Sequence, residues 1–594
     1  MTNSAPGHLA CTHLAADEFW FLRWIVRLRW VCFILVALVL LAGYNGQWRV
    51  RSDSALYRGL GRSLAAGRGY TFRGEYDKQA YPGLPILLAG VERVFGRQDD
   101  LRPTATLWVM LVLAGATLVC IYHLILEHFP RWIAVCVTTG VGINQQFIQQ
   151  AHEIMTDLPF LLGVSLTLLA MSRVRRATAG SARILWAGLL MLGAATACSM
   201  RPTMWVLVAA GIGAAILHII RTRRWKAPVL AIGVLVAFVA VWAAAFSGRH
   251  ERSVIRHIQN LWVDHSPSQV GVADRLGRLF GAHVPEAVLG FEMPLWTGIP
   301  FTAMLFGLAA WRARFLPVWG LYSIVTFAMF LVMGSNTRYL LMVLPMLLVE
   351  WALLCHALAR WLIPLIPWRF TPDWAMLATL AFATVIQAAL AVNLVLEQHG
   401  RSYKNHFQRT DFLVSYRNGD VLALKQLADA IRQWVPAGAR LLGPEGRITS
   451  FLSGRNVYDS ADLFANKAGP QWAPAVKDKK ITWVAWGPRF PEESRVSKLL
   501  RPAPRQPLLK IEDGAWWTIE PSARERNGRP RGLFLGRLYQ PPSLATTRSA
   551  TRPANAPAPV PSGKLPGVEL PAVINHRPPT RPAPVNPPRA RGSN

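Results

Sequence analysis

Long apolar runs separated by short arginine-rich turns fill the first two thirds of this chain. A run of roughly 17 to 25 apolar residues is long enough to cross the hydrocarbon core of a bilayer as a helix. The pattern predicts crossings near 24–45, 104–127, 131–148, 157–172, 184–200, 203–220, 227–246, 294–311, 315–334, 338–356 and 374–396, about eleven in all. None has the form of a cleavable signal peptide. An odd number of crossings puts the two ends of this region on opposite sides. The short turns set the direction: Arg173, Arg175, Arg176 and Arg183 in one, Arg221, Arg223, Arg224 and Lys226 in the next, then Arg312 and Arg314, all on one face with Arg23, Arg27 and Arg29. That face is expected to be cytoplasmic, with the protein in the plasma (inner) membrane. The first long loop is arginine-rich too, but long loops translocate largely regardless of charge.

Past the last run the pattern changes to that of a soluble domain. "VLALKQLADAIRQWV" (Val421 to Val435) has helical spacing, and "ARLLG", "ITSFLSG", "RNVYDS", "KITWVAW", "PLLKIED" and "AWWTIEP" lean toward short strands. From about Pro521, proline, arginine, alanine and serine dominate, a composition that cannot bury enough apolar surface to order itself. The expected organisation is a cytoplasmic tail at 1–23, a membrane domain at 24–400 with its first outer loop at 46–103, a small outer α/β domain at 401–520, and a disordered basic tail at 521–594.

Composition agrees with a polytopic α-helical membrane protein: 52% of residues are apolar, 24 are tryptophan and only 16% are charged. The net charge of +31 is spread over turns, loops and tail, which argues against nucleic acid and for anionic lipids and phosphate-bearing ligands. The 6 cysteines avoid the expected outer regions and follow no zinc spacing, so neither a disulfide framework nor a cysteine metal site is expected.

The candidate chemistry lies in the first outer loop. In "RVRSDSALYRGLGRSLAAGRGYTF" the leucines Leu56, Leu60 and Leu64 recur at helical spacing, Arg58 and Arg62 share another flank, and Gly67 and Gly69 end the pattern. This predicts an amphipathic helix at the outer surface, arginines toward head groups, with Asp53 in its first turn. Asp53 there is either an N-cap or a functional acid. "GEYDKQAYPGLPILLAGVERVFG" adds Asp77, Lys78 and a turn at Tyr81-Pro82-Gly83 before a second amphipathic stretch, Leu84 to Phe95. Two surface helices joined by a polar elbow can roof a cavity.

The order of these features resembles the C-type membrane glycosyltransferases, in the branch of the protein O-mannosyltransferases and lipid A aminoarabinose transferases. The likeness rests on the carboxylate after the first crossing, "ALYRGLGRSLAAGRGY", "YPGLPILL", "HEIMTDLPF", "SMRPTMWVL" and "SNTRYLLMVLPMLL", and covers most of Arg49 to Leu348. Ser54 after the acid and "DKQAYPG" in the elbow depart from the stricter patterns of the two named subgroups. The resemblance implies transfer of a sugar from a polyprenyl-phosphate carrier to a glycan, lipid or protein acceptor on the outer side, with Asp53 as the catalytic acid.

Such a displacement needs a general base for the acceptor hydroxyl and cations for the departing phosphate; direct attack inverts the anomeric centre. Asp53 is the expected base. Lys78, Arg201 and Arg338, with Tyr339 beside the last, are the expected phosphate-binding groups, against the alternative that arginines at span ends merely snorkel. Asp157, Glu153, Tyr57 and Tyr81 are expected substrate contacts, although Asp157 also suits a helix start. No cofactor is required, and a divalent ion on Asp53, His152, Glu153 and Asp157 remains an option without a dedicated ligand spacing. Asn144, Gln145, Gln146, Gln149 and Gln150 could bind sugar hydroxyls or only solvate their turn. Two other classes compete: a secondary transporter, disfavoured by the absence of an internal repeat, by few acids within the spans and by polar residues gathered on one side, and a non-catalytic cell-envelope scaffold.

Overall fold

The computed structural model describes residues 20–77, 80–222, 277–333, 337–362, 372–399, 420–459, 478–486, 511–518 and 532–538. The chain enters through α1 (Trp20–Arg27) and α2 (Arg29–Ala42), which are continuous in hydrogen bonding across Leu28. The first loop follows as α3 (Ser52–Ala65), a hairpin of β1 (Thr71–Phe72) and β2 (Glu75–Tyr76), and α4 (Gly83–Phe95). Next come α5 (Thr104–Leu126), α6 (Arg131–Ile143), α7 (Gln145–Ala151), α8 (Asp157–Arg176), α9 (Gly180–Met200) and α10 (Trp205–Thr222). Beyond the undescribed stretch lie α11 (Val284–Leu289), α12 (Leu295–Arg312), α13 (Pro317–Met333), the single turn α14 (Thr337–Leu340), α15 (Leu344–Leu362) and α16 (Pro372–Gln398).

The molecule is an integral membrane protein built largely of helices. Among the described residues four helices are long and apolar enough to span a bilayer, Thr104–Leu126, Asp157–Val174, Gly180–Met200 and Pro202–Arg221. Five further apolar helices are shorter. The expected crossing at 227–246 lies outside the described residues, and a helix stands at each of the others. One was expected to be longer: the run at 131–148 breaks at Asn144, whose backbone is extended and whose Oδ1 accepts the Gln146 N–H at 3.0 Å. A capping amide inside an apolar run thus ends α6 and starts α7.

Small residues let these helices meet closely. A Cβ on Gly163 would lie 2.7 Å from the Ala197 nitrogen, and one on Gly193 would lie 2.9 Å from the Thr167 nitrogen, so α8 and α9 touch backbone to backbone. Near the arginine-rich turns, buried Glu350 on α15 accepts from Arg312 Nε at 2.5 Å and Nη2 at 2.7 Å, and Glu127 pairs with both Arg173 and Arg176. Charges at this depth persist because each has a partner.

The C-terminal domain comprises α17 (Asp420–Trp434), β3 (Arg440–Gly443), α18 (Gly446–Ser453), β4 (Asn456–Asp459), β5 (Trp483–Trp486), β6 (Ile511–Thr518) and β7 (Gly532–Leu538). Its five-stranded sheet has the order β4-β3-β5-β7-β6, with β3 parallel to β4 and β5, and β7 antiparallel to β5 and β6. Two expectations change here. "ITSFLSG" forms α18 in place of a strand, because Ile448, Phe451 and Leu452 recur at helical spacing and are all buried. The boundary expected at 520 is too early, since β7 comes from beyond it and sits between β5 and β6. The rest of the expected tail, from 539 on, and the N-terminal tail up to residue 19 lie outside the described residues.

This domain rests on α3. Phe451 of α18 meets the buried Trp48 ring edge-on, with centroids 5.5 Å apart, and the guanidiniums of Arg58 and Arg62 lie over Phe451 at 4.9 and 4.6 Å. The arginines of α3 therefore do not face head groups as the sequence suggested. Arg58 is 2% exposed and donates to the carbonyls of Asp100 and Asp99 at 2.6 and 2.9 Å, while Arg62 reaches Asp100 Oδ1 at 2.5 Å and Glu92 Oε1 at 3.3 Å. Burial, with Arg62 beside it, lowers the Arg58 pKa to about 9. On the other flank Leu56 and Leu60 are buried with Ala80, Tyr57, Tyr70 and Phe72. α4 instead keeps an apolar edge, Ile86, Val94 and Phe95, exposed in the manner of a helix lying in a bilayer surface.

Truncating Phe451 to alanine should weaken this docking by about 3 kcal/mol, the usual cost of removing a buried phenylalanine ring. Hydrogen exchange over 446–453 should accelerate accordingly, with α5 unaffected; equal protection in the variant would show that the ring does not hold the domain.

Candidate functional site

The first turn of α3 is built by its neighbours. Arg51 precedes the helix in extended conformation, and Ser54 closes the turn by accepting the Arg51 N–H at 2.9 Å and donating to the Arg51 carbonyl at 2.9 Å. Asp53 is thereby released from the capping role open to it in sequence and sits in the first turn with its side chain 43% exposed. The Arg51 side chain fixes the start of α3 from below, donating through Nε and Nη2 to Glu153 Oε1 at 3.0 and 2.7 Å. Glu153 is fully buried and also accepts from Gln149 Nε2 at 2.8 Å and Gln150 Nε2 at 3.1 Å. Those two amides, open to sugar binding or loop solvation from sequence, serve this carboxylate.

The start of α8, the end of α9 and the turn α14 converge on the same place. Asp157, the first residue of α8, forms an ion pair of 2.7 Å with Arg201 Nη2, and Arg201 Nε donates to Thr156 Oγ1 at 3.0 Å. Both partners are nearly enclosed, at 11% exposure for Arg201 and 3% for Asp157. Arg201 and Arg338 lie against the Tyr339 ring at 5.1 and 4.9 Å, and Arg338 Nη2 donates to the Tyr339 hydroxyl at 3.0 Å. Two like charges share one ring because an aromatic face and a buried carboxylate offset their repulsion.

Electrostatics ties α3 to this cluster. Burial raises the Tyr57 pKa to about 12, helped by the Asp53 charge and opposed by Arg201 and a hydrogen bond with Thr156. The Tyr57 phenol is a neutral hydroxyl at any physiological pH. Arg338 is tied to the same group, with the charges of Asp157 and Asp53 and the Tyr339 hydroxyl acting on its guanidinium. Asp53, Tyr57, Asp157, Arg201, Arg338 and Tyr339 are thus gathered in one constellation, with Glu153 anchoring its edge through Arg51. Tyr81 stands half-buried at the turn into α4, and Lys78 lies outside the described residues.

One partner was invisible in the sequence. Arg447, on α18 of the C-terminal domain, donates through Nη1 to Asp53 Oδ1 at 2.7 Å from 394 residues further along the chain. Nothing near Arg447 in "GPEGRITS" marks it, whereas Arg51 stands two positions before Asp53, a proximity that is visible in the sequence. Among the described residues no group of three or more histidine, cysteine or acidic side chains is disposed to hold a metal ion. Asp53, Asp157 and Glu153 each face a guanidinium instead.

No family model matches the chain, and no curated protein sequence matches it. Among solved structures it is similar to the Archaeoglobus fulgidus oligosaccharyltransferase tethered with an acceptor peptide, at 11% identity and a TM-score of 0.50, covering 77% of this chain and 68% of that one. The Cupriavidus metallidurans ArnT structure in the apo state overlaps at 13% identity and a TM-score of 0.49, over 85% of this chain and 97% of that one. The oligosaccharyltransferase likeness shows the fold alone: the chain shares the overall fold of that enzyme.

Replacing Arg201 by alanine strands the enclosed Asp157 carboxylate, a change that costs about 3–5 kcal/mol for buried pairs. The variant should lose thermal stability in detergent by several degrees, and Arg201→Met combined with Asp157→Leu should recover most of it. A single variant as stable as the parent would mean that the pair is solvated.

Proposed function

We propose that this protein is a membrane glycosyltransferase that moves a sugar from a polyprenyl-phosphate carrier to a hydroxyl acceptor outside the cytoplasm. The observation that carries the reading is a partly exposed carboxylate, Asp53, set at the rim of an enclosed cluster of arginines and tyrosines. The fold supports it, as do the motifs that resemble the C-type transferases. The two carboxylates differ in kind. Asp157 is locked against Arg201 and shapes the site, whereas Asp53 is open enough to meet an acceptor.

In the proposed reaction the acceptor hydroxyl gives its proton to the Asp53 carboxylate while its oxygen bonds to the anomeric carbon. The bond from that carbon to the phosphate oxygen breaks, its electron pair leaves with the polyprenyl phosphate, and configuration inverts. Arg338 and Arg201, with Tyr339 between them and Lys78 of the first outer loop, meet the phosphate charge. Tyr57 and Tyr81 contact the sugar or acceptor, and Glu153 keeps α3 in place through Arg51. In this reading residues 24–400 hold the transferase machinery, the arginine-rich turns face the cytoplasm of the plasma membrane, and the C-terminal domain stands outside. Anionic lipids surround the basic surfaces, and the acceptor is a glycan, lipid or protein hydroxyl.

Asp53→Asn keeps the shape of the side chain and removes the base, so transfer should fall by about a hundredfold or more while the fold is retained. The assay is release of radiolabelled sugar from its polyprenyl phosphate in proteoliposomes; full activity in this variant would refute the role of Asp53. Arg338→Ala should weaken carrier binding by about tenfold. Unchanged affinity would remove Arg338 from the phosphate site.

A further inference from the structure

We infer that Arg447, contributed by the C-terminal domain, is a further phosphate-binding residue of this site, and that it must leave Asp53 to act. The inference rests on the transferase reading above.

The contact itself poses a problem for that reading. A base must meet the acceptor hydroxyl through a carboxylate oxygen, and a guanidinium held at 2.7 Å on Asp53 Oδ1 stands where that hydroxyl would dock on one of the two. So the pair as observed is a resting arrangement. It can be opened far more cheaply than its neighbour. Moving Arg201 would abandon a carboxylate that is 3% exposed, whereas Asp53 is 43% exposed and water can solvate it when Arg447 departs. Of the two ion pairs, the one at the rim is built to exchange.

The neighbouring cations say what Arg447 exchanges toward. Arg447 brings a further guanidinium to the rim of the cluster where Arg201 and Arg338, both against the Tyr339 ring, are proposed to meet the carrier phosphate. A guanidinium presents a fork of donors suited to phosphate oxygens, so a phosphate can take over the one that Asp53 holds.

The mounting of Arg447 confines the motion to its side chain. Gly446 donates its N–H to Asp459 Oδ2 at 2.9 Å, and a Cβ on Gly446 would fall 2.5 Å from the Asp459 nitrogen. Glu445 before it holds a left-handed conformation with φ of 44°. The root of the arginine is therefore fixed against β4 while its tip lies at a partly open rim, 25% exposed. Arrival of the carrier phosphate draws the guanidinium off Asp53, so the base becomes available only when there is a leaving group to displace.

The test measures binding of undecaprenyl phosphate to the purified full-length protein in detergent, with undecaprenol as the uncharged control. Arg447→Gln should weaken binding of the phosphate about tenfold and leave undecaprenol unchanged. Asp53→Asn, which removes the competitor for the guanidinium, should tighten phosphate binding several-fold. Relief of simple charge repulsion would also tighten it, but that gain would persist when Arg447 is already glutamine. Competition predicts that the gain vanishes in the double variant. A gain of equal size in both backgrounds, or wild-type affinity in R447Q and D53N alike, would reduce Arg447 to a pin between domains and overturn the inference. The transferase reading would survive that result if the parent transfers sugar and D53N does not. A parent protein that does not distinguish undecaprenyl phosphate from undecaprenol would remove both.

Discussion

A carboxylate at the mouth of a membrane protein is costly to bury unless a cation meets it, and here each acid of the site is met by an arginine from another segment. Arg51 holds Glu153, Arg201 holds Asp157, and Arg447 holds Asp53. These pairs join the loop before α8 to the start of α3, the start of α8 to the end of α9, and α3 to the C-terminal domain. The position of α3 depends on all of them. Glu153 has no exposure, Asp157 almost none, and Asp53 is open on one side, so the pairs loosen from the interior toward the surface. The site is rigid where it must hold its shape and exchangeable where chemistry would need it.

The C-terminal domain is held by a similar compromise between charge and apolar surface. Arg58 and Arg62 bury their guanidiniums against Trp48 and Phe451 while their hydrogen bonds go to Gln98, Asp99 and Asp100. Nearby, Tyr458 donates to Glu75 Oε1 at 2.9 Å and Arg440 pairs with the same carboxylate at 3.4 Å. Polar groups that are fully partnered fix orientation better than an apolar patch, which tolerates sliding. Orientation matters here because the same face delivers Arg447.

The helical frame was legible because the length of an apolar run is a one-dimensional property that the bilayer converts directly into structure. Much of the constellation was legible for a related reason: Asp53, Tyr57, Asp157, Arg201, Arg338 and Tyr339 all sit at or just beyond the ends of apolar segments. Such ends meet at a common depth. What could not be read depends on contacts distant in sequence or on competition between neighbours. Arg58 and Arg62 have the spacing of head-group arginines, and only docking of α18 turns them inward. Ser54, not Asp53, closes the first turn of α3, a choice between two adjacent capping residues that sequence leaves undecided. Asn144 interrupts an apolar run with a single side-chain bond, and the helical spacing within "ITSFLSG" is too short to outweigh its strand-like composition. The strand Gly532–Leu538 lies in a stretch whose proline and arginine content points away from any sheet.

That late strand has a temporal consequence. β7 bridges β5 and β6 within the sheet, so the domain lacks an internal strand until residue 538 has left the ribosome. The Arg51–Glu153 and Arg201–Asp157 pairs, both formed by segments before residue 202, can settle earlier in synthesis, whereas the guanidinium from α18 belongs to a folding unit completed only with β7. A nascent chain therefore acquires its mouth before its latch.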